Sequence, residues 1–330
     1  MSHFTVMVIG PSNDDELAEM LAPYDENKDV DPYRDYLEGE AKDHWYMEKL
    51  RRDFAAVERA AAADPVDALE DKVIRAAKSI ISNLEEPTWE EFVTIYNLEF
   101  EDPNDRVHYD EKTGRAYELT SYNPDSKWDW YEVGGRWAGT LRLKGERPPG
   151  QELNFSWGWK DTPDDERPGK DRADRAQLKD IDLDGWREEA RADAEAKYDR
   201  YEEFVALHGE HPKWDWEANK DRIQEYRQEY NNNPVVVAAR EFFKNSGMFF
   251  NAGDEFGGKT REEYVASKVA GAVPCYATLT EDGWLAPGKM GWFGMISDGD
   301  NDRVRYHAEV NKMLDELDPE TWITVVDCHI

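Results

Sequence analysis

The stretch "TWITVVDCHI" (Thr321–Ile330) closes the chain with β-branched and apolar residues, and "HFTVMVI" (His3–Ile9) begins it in the same way. Residues of these types favour buried β-strands. Because both ends of the chain are then strands, the simplest architecture places them in one sheet and uses the intervening helices as covering layers. The sequence therefore predicts an α+β fold with a central, mostly antiparallel sheet that contains both terminal strands.

Between these ends, helical and β-like patterns alternate along the chain. The spacing of apolar residues predicts helices over 43–62, 66–84, 184–208, 217–230, 234–245 and near 300–316. Short β-like pieces separated by turn residues occupy 106–159, and a hairpin is predicted around Glu281–Gly283.

Changes in composition suggest how the chain is divided. Residues 160–177 are almost wholly charged or turn-forming, which predicts a solvated linker. We therefore expect a first part of the α+β core over 1–159, the linker over 160–177, a helical insertion or lid over 178–247, and the second part of the core over 248–330.

The charge of the chain excludes several classes of partner. The chain has 41 Lys and Arg residues and 73 Asp and Glu residues, which gives a formal net charge of -32 at pH 7. Direct nucleic-acid binding and anionic membrane surfaces are disfavoured, because both require cationic neutralisation. No apolar run is long enough to span a membrane, and two cysteines without a zinc spacing indicate a reducing setting. We expect a cytoplasmic protein that does not contact membranes.

The stretch "SKWDWYEVGGRWAG" (Ser126–Gly139) concentrates tryptophan, glycine and arginine in an otherwise acidic chain. One interpretation is a well-packed hairpin that turns at Gly134 and Gly135, with Trp128 and Trp130 on the same face. The other is a pocket, since indole rings stack on bases or sugars and Arg136 binds anions. The candidate ligand-binding residues in this stretch are Trp128, Asp129, Trp130, Tyr131, Gly134, Gly135, Arg136 and Trp137.

"GKMGWFGM" (Gly288–Met295) has a similar composition and adds Lys289 and Trp292 to the candidate ligand-binding residues. It does not match a phosphate-binding loop, because the Lys-Ser or Lys-Thr pair and the following helix are missing. His208 and His211 have helical spacing, but Pro212 ends the segment and no third ligand is placed by spacing. No metal site is predicted, and the cofactor is unknown.

The last strand suggests acid–base chemistry. Asp327 and His329 project to the same face of an extended strand, and Cys328 projects to the other. Asp327 and His329 are therefore the candidate catalytic residues. The alternative is a buried strand end with a satisfied histidine.

Five stretches together resemble a family of tailed-phage and prophage proteins: "MSHFTVMVIG", "LAPYDEN", "NPDSKWDWYEVGGRWAG", "PGKMGWFGM" and "TWITVVDCHI". The resemblance covers the first thirty residues, the central β-like region and the last sixty residues. It implies a virus-encoded protein that acts inside a bacterial host, and it implies no activity, cofactor or catalytic residue.

Three hypotheses on function follow. The first is an accessory protein for host takeover or counter-defence that binds a small anionic or nucleotide-like ligand in the Trp/Gly/Arg-rich stretch. The second is a hydrolase or phosphodiesterase that uses Asp327 and His329. The third is an acidic nucleic-acid mimic that occupies a basic host protein.

Overall fold

In a computed structural model of the chain, the structure describes residues 3–63, 73, 77, 79–81, 83, 85–100, 102, 105–156, 162–163, 166–244, 255–256, 258–273, 275–288 and 299–330. The strands are β1 (His3–Gly10), β2 (Tyr33–Tyr36), β3 (Val107–Asp110), β4 (Arg115–Thr120), β5 (Trp130–Val133), β6 (Leu141–Arg142), β7 (Arg172–Ala173), β8 (Arg175–Gln177), β9 (Ala277–Thr280), β10 (Gly283–Leu285) and β11 (Trp322–His329). The helices are α1 (Asp14–Leu21), α2 (Trp45–Ala63), α3 (Trp89–Glu99), α4 (Leu183–His208), α5 (Ile223–Asn232), α6 (Pro234–Phe242), α7 (Arg261–Ala270) and α8 (Asp300–Glu316).

The central sheet has the strand order β10-β9-β1-β11-β5, and β8 also pairs with β11. All pairings in it are antiparallel except the one between β1 and β9. The two terminal strands therefore lie side by side in the middle of the sheet. This confirms the predicted α+β fold and the placement of both chain ends in one mostly antiparallel sheet.

Both faces of this sheet are covered, which explains why the terminal strands are apolar along nearly their whole length. On one face, Met7 and Val325 pack in a cluster that includes Val310 and Leu314 of α8. On the other face, Val6 and Val326 pack in a cluster that includes Leu17 of α1. The β-branched residues at both chain ends supply this core.

The chain divides into two compact units, one made of Met1–Asp25 with Lys127–Ile330 and the other of Glu26–Ser126. The smaller unit has its own sheet, with the order β2-β4-β3, and its own apolar cluster built around Tyr46 and Phe92. This division differs from the predicted one, which continues the first part of the core to residue 159.

Two further predictions differ from the structure. β5 does not form a hairpin with the residues that follow Gly135: it pairs with β11, while β6 pairs with β7. The expected linker 160–177 contributes β7 and β8, and β8 adds to the central sheet through β11. The sequence pattern did not predict these strands, because their neighbours are highly charged and their buried residues, such as Ala173 and Ala176, are too small to give a clear apolar pattern.

Several other elements agree with the sequence pattern. The hairpin of β9 and β10 turns at Glu281 and Asp282, and α8 covers the predicted range. α4 and α6 follow predicted helices, and they share an apolar cluster that includes Tyr198 and Ala239 with α7, a helix that the sequence pattern did not predict. No helix in the described ranges has the length and apolar character needed to cross a membrane.

Candidate functional site

The pairing of the two terminal strands brings polar side chains together at one end of the central sheet. His3 lies opposite His329, and Thr5 lies opposite Asp327. Because side chains alternate along a strand, His3, Asp327 and His329 share one face. β5 adds Glu132 opposite Asp327 and Trp130 opposite His329 on the same face. The buried apolar face therefore ends in a group of ionisable side chains.

Two histidine–carboxylate pairs form within this group. Nδ1 of His3 lies 2.8 Å from Oδ1 of Asp327, and Nδ1 of His329 lies 2.6 Å from Oδ1 of Asp129. The two imidazole rings meet edge to face with centroids 4.9 Å apart. We name these four residues the two-histidine cluster.

This arrangement changes the predicted partnership between Asp327 and His329. The two residues are close together, but each imidazole takes its carboxylate from another segment of the chain. The reason is geometric: residues two apart on one strand stand about 6.6 Å from each other, whereas side chains of neighbouring strands approach more closely.

The backbone of the loop over 134–140, which contains Gly134, Gly135 and Gly139 and connects β5 to β6, holds the buried Asp327. The Asp327 side chain is fully buried, and its Oδ2 accepts a hydrogen bond of 2.9 Å from the backbone N–H of Arg136. Gly135 has a φ of 58° and lies so close that a Cβ there would be 2.6 Å from Cβ of Asp327. The need for glycine at this position thus comes from the approach to a carboxylate as well as from the turn.

The same loop encloses a second buried carboxylate, Asp174. Its Oδ1 accepts from the N–H of Gly139 at 2.6 Å, and its Oδ2 accepts from the N–H of Asn154 at 2.8 Å. A Cβ on Gly134, whose φ is 73°, would lie 2.5 Å from Oδ2 of Asp174. Burial raises the pKa of Asp174, against the opposing effect of these hydrogen bonds. Gly134 and Gly135 therefore each serve a different carboxylate.

The electrostatic setting of the cluster is acidic. Burial and the nearby charge of Asp327 raise the pKa of Glu132, which favours its neutral form. Burial also raises the pKa of the Cys328 thiol well above its usual range, and this side chain faces the opposite apolar cluster. Cys328 is therefore not suited to act as a nucleophile.

The structure separates the aromatic residues that the sequence grouped together. Trp128 is buried in the apolar core with Tyr131 against its ring, and Trp137 packs against the cluster that contains Met7. Trp130 is 46% exposed and lies edge-on to His3 with ring centroids 6.0 Å apart. The prediction that Trp128 and Trp130 lie on the same face is wrong, because β5 begins only at Trp130 and Trp128 precedes the strand.

The remaining predicted residues have different outcomes. Asp129 joins the two-histidine cluster, and the side chain of Arg136 is exposed. Lys289 and Trp292 lie outside the described residues. Among the described residues, no group of three or more His, Cys, Asp or Glu side chains has the arrangement of a metal site.

Sequence reasoning missed His3 and Glu132. A signal for His3 was present, because two strands of eight residues at the chain ends, paired antiparallel in full register, place His3 opposite His329. Glu132 carried no such signal, since its position depends on β5 pairing with a strand nearly two hundred residues away.

Comparisons with known proteins add no relative: no family model, no curated protein and no solved structure matched the chain. The resemblance to tailed-phage and prophage proteins stays a prediction.

Proposed function

We propose that this protein is a phosphodiesterase that uses His3 and His329 as an acid–base pair. The observation that carries the proposal is the edge-to-face contact of two partly exposed imidazoles, each with Nδ1 held by a carboxylate. A carboxylate on Nδ1 fixes the ring and directs Nε2 to the reacting group. Asp327, the carboxylate that holds His3, is fully buried at the end of an apolar face, and burial of a carboxylate there is costly, which favours a functional reason for it.

The reaction needs one neutral imidazole and one imidazolium. The neutral ring takes a proton from a water molecule as the water oxygen attacks phosphorus. The bond from phosphorus to the leaving oxygen then breaks, and the imidazolium gives its proton to that oxygen. No covalent intermediate is required, which agrees with the burial of Cys328 and with the raised pKa of its thiol.

Trp130 supports a substrate with a planar or sugar group next to the reacting bond. Its exposed indole stands beside His3, and such a ring provides a stacking surface for a base or a ribose. A nucleotide-like phosphodiester has both a phosphodiester bond for the two imidazoles and a base or ribose for the Trp130 ring. The small anionic or nucleotide-like ligand expected from the sequence is thus kept in the proposal, with Trp130 in place of the buried Trp128.

The test is hydrolysis by the untagged chain of bis(p-nitrophenyl) phosphate and of dinucleoside phosphates. We expect turnover in the wild type and a loss of at least about 100-fold in His3→Gln and in His329→Gln. His208→Gln is the matched control, because His208 is exposed near the end of α4 and lies outside the cluster. A wild type without turnover, or a His3→Gln variant with full activity, would refute the proposal.

Nucleic-acid mimicry is favoured less by the described contacts. Many acidic side chains of α4 are already neutralised within the chain, since Asp199 and Glu202 both bind Arg261 and Asp193 binds Lys197. A mimic needs unpaired carboxylates that are spaced for a basic partner. A role in host takeover or counter-defence stays a prediction from the sequence.

A further inference from the structure

A second site lies on the other face of the central sheet. Tyr131 follows Trp130 in β5 and therefore points away from the two-histidine cluster. It lines a pocket of about 490 Å³ together with Val133 of β5, with Asp14 and Leu17 of α1, with Arg175 of β8 and with residues between the strands that include Arg147. A volume of this size is in the range of small-molecule sites.

Two guanidinium groups supply hydrogen-bond donors to this pocket. The side chain of Arg175 is only 16% exposed; its Nε donates to Oγ1 of Thr324 at 2.8 Å, and its Nη2 donates to Oδ1 of Asp14 at 2.7 Å. Arg147 uses Nη1 on the carbonyl oxygens of Gly169 and Arg172. Within the described part of the chain, Nη1 of Arg175 and both Nε and Nη2 of Arg147 are left for a ligand.

The acceptors of the pocket lie closer to solvent. Asp14 has an 84% exposed side chain, and Glu152 is also exposed. The third carboxylate, Asp174, is buried and already accepts two backbone N–H groups. In the less exposed part of the lining, the two guanidinium groups therefore outnumber the one carboxylate, Asp174, which interacts with Arg147, and the carboxylate oxygens that accept no hydrogen bond from the described residues lie in the exposed part.

This mixed lining discriminates between classes of ligand. A simple anion is attracted by the arginines and repelled by Asp14 and Glu152, whereas a simple cation meets the opposite balance. A molecule that carries both charges satisfies both sets of groups. Leu17 and the ring of Tyr131 add an apolar surface for the uncharged part of such a molecule.

We propose that this pocket binds a small zwitterion of the size of an amino acid or a dipeptide. Its carboxylate binds Arg147 and Arg175, its ammonium group faces Asp14 and Glu152, and its apolar side chain packs on Leu17 and Tyr131. Bidentate contact between guanidinium and carboxylate supplies the orientation. The site is independent of the acid–base chemistry proposed for the opposite face.

Calorimetric titration of the full chain tests the proposal with phenylalanine, leucine and glycylphenylalanine as probes. N-acetyl-glycylphenylalanine and glycylphenylalanine amide are matched ligands that lack one charge each. We expect at least one free zwitterion to bind with a Kd below about 10 mM, and each blocked form to bind at least about tenfold more weakly. Because these comparisons use the wild type, they do not depend on the stability of a variant.

Arg147→Gln is expected to weaken the binding of the zwitterion by about tenfold or more, as removal of one charged hydrogen-bond partner usually does. Arg142→Gln is the control, because its guanidinium binds Asp182 and Glu189 away from the pocket. His3→Gln is expected to bind normally, which separates this result from the phosphodiesterase proposal. No binding by any free probe, equal binding by either blocked form, or wild-type affinity in Arg147→Gln would overturn the inference.

Discussion

At position 135 a single methyl group would occupy the space of the Asp327 carboxylate. We expect Gly135→Ala to lower the free energy of unfolding by about 2 kcal/mol or more, since a left-handed backbone alone costs an alanine about 1–2 kcal/mol. The overlap with Asp327 and with Oε1 of Glu132, which a Cβ would approach to 2.7 Å, adds to this cost. Urea denaturation measures the loss.

The control for this prediction is Gly145→Ala. A Cβ on Gly145 meets no atom within 4 Å, so its unfolding free energy is expected to stay close to that of the wild type. If Gly135→Ala were as stable as Gly145→Ala, the close packing of the loop on Asp327 would be wrong. A fall in phosphodiester hydrolysis beyond the loss of folded protein would show that the carboxylate also positions His3.

At the scale of single residues, the sequence indicates which side chains could take part in acid–base chemistry, but it does not indicate which of them contact each other. The composition of Ser126–Gly139 identifies a place where backbone and side chains are unusual, and Asp327 and His329 are recognisable as ionisable residues at a strand end. Which carboxylate serves which imidazole depends on pairing across more than three hundred residues. No local pattern contains that information.

At the scale of elements, composition and periodicity predict the long, regular segments well. The terminal strands, α4 and α8 follow from their residues because burial on two faces, or on one helical stripe, dictates the pattern. β5 is different. Gly134 and Gly135 favour a local hairpin. Tyr131 and Val133, however, pack in the apolar cluster that contains Val326 of β11, and the burial of these two side chains determines that β5 pairs with β11.

The start of α2 is expected to be sensitive to acid. His44 precedes Trp45, the first residue of this helix, and its Nδ1 accepts the backbone N–H of Tyr46 at 3.2 Å. Burial lowers the pKa of His44, whose ring contacts Phe92. The pKa of His44 in the folded state is thus below its unfolded value of 6.5. The contribution of the neutral imidazole to the free energy of unfolding is therefore complete above pH 6.5, and it is lost as the pH falls through the folded pKa.

We therefore expect His44→Asn to remove part of the pH dependence of stability between about pH 7 and pH 5. Asparagine keeps an acceptor at the N-terminus of the helix but does not titrate in this range. Thermal unfolding at several pH values gives the difference between wild type and variant, in which the contributions of the other titrating groups cancel. An identical pH dependence in both proteins would contradict this role for His44.

At the scale of the whole molecule, charge repulsion opposes folding. With a formal net charge of -32, the compact state gathers far more negative charge than positive charge. Raising the ionic strength from about 0.01 M to about 0.15 M shortens the Debye length from about 30 Å to about 8 Å. We expect the Tm to rise by several degrees over this range in scanning calorimetry.

The control is a nonionic osmolyte at equal osmolality, which separates screening of charge from exclusion at the protein surface. A Tm that falls with added salt would mean that favourable ion pairs, such as those of Arg261 with Asp199 and Glu202, outweigh the overall repulsion.

The boundaries of the two compact units do not coincide with the main change in composition along the chain. The composition changes near residue 160, and the predicted division follows that change, whereas the smaller unit begins at Glu26 and ends at Ser126. What defines that unit is a separate apolar cluster and a separate sheet. Such closure is a property of long-range contacts and leaves no mark on local composition.

This division leads to a prediction about deletion. The backbone N–H of Lys127 donates to the carbonyl oxygen of Tyr24 at 2.8 Å, and the backbones of Asp25 and Trp128 form an isolated parallel β-bridge. The chain therefore leaves the larger unit and returns to it at neighbouring positions, as expected for an inserted domain. Replacing Glu26–Ser126 by a short Gly/Ser linker is expected to leave a folded protein with the phosphodiesterase activity of the intact chain.

The excised Glu26–Ser126 segment is the complementary test. It has about 100 residues, which is enough for an independent core, and it is expected to unfold in one cooperative thermal transition. A linker variant that unfolds cooperatively but is inactive would mean that the smaller unit contributes to catalysis. If neither piece unfolded cooperatively, the two units would have to fold together, and the larger unit could not be treated as the complete support of the two-histidine cluster.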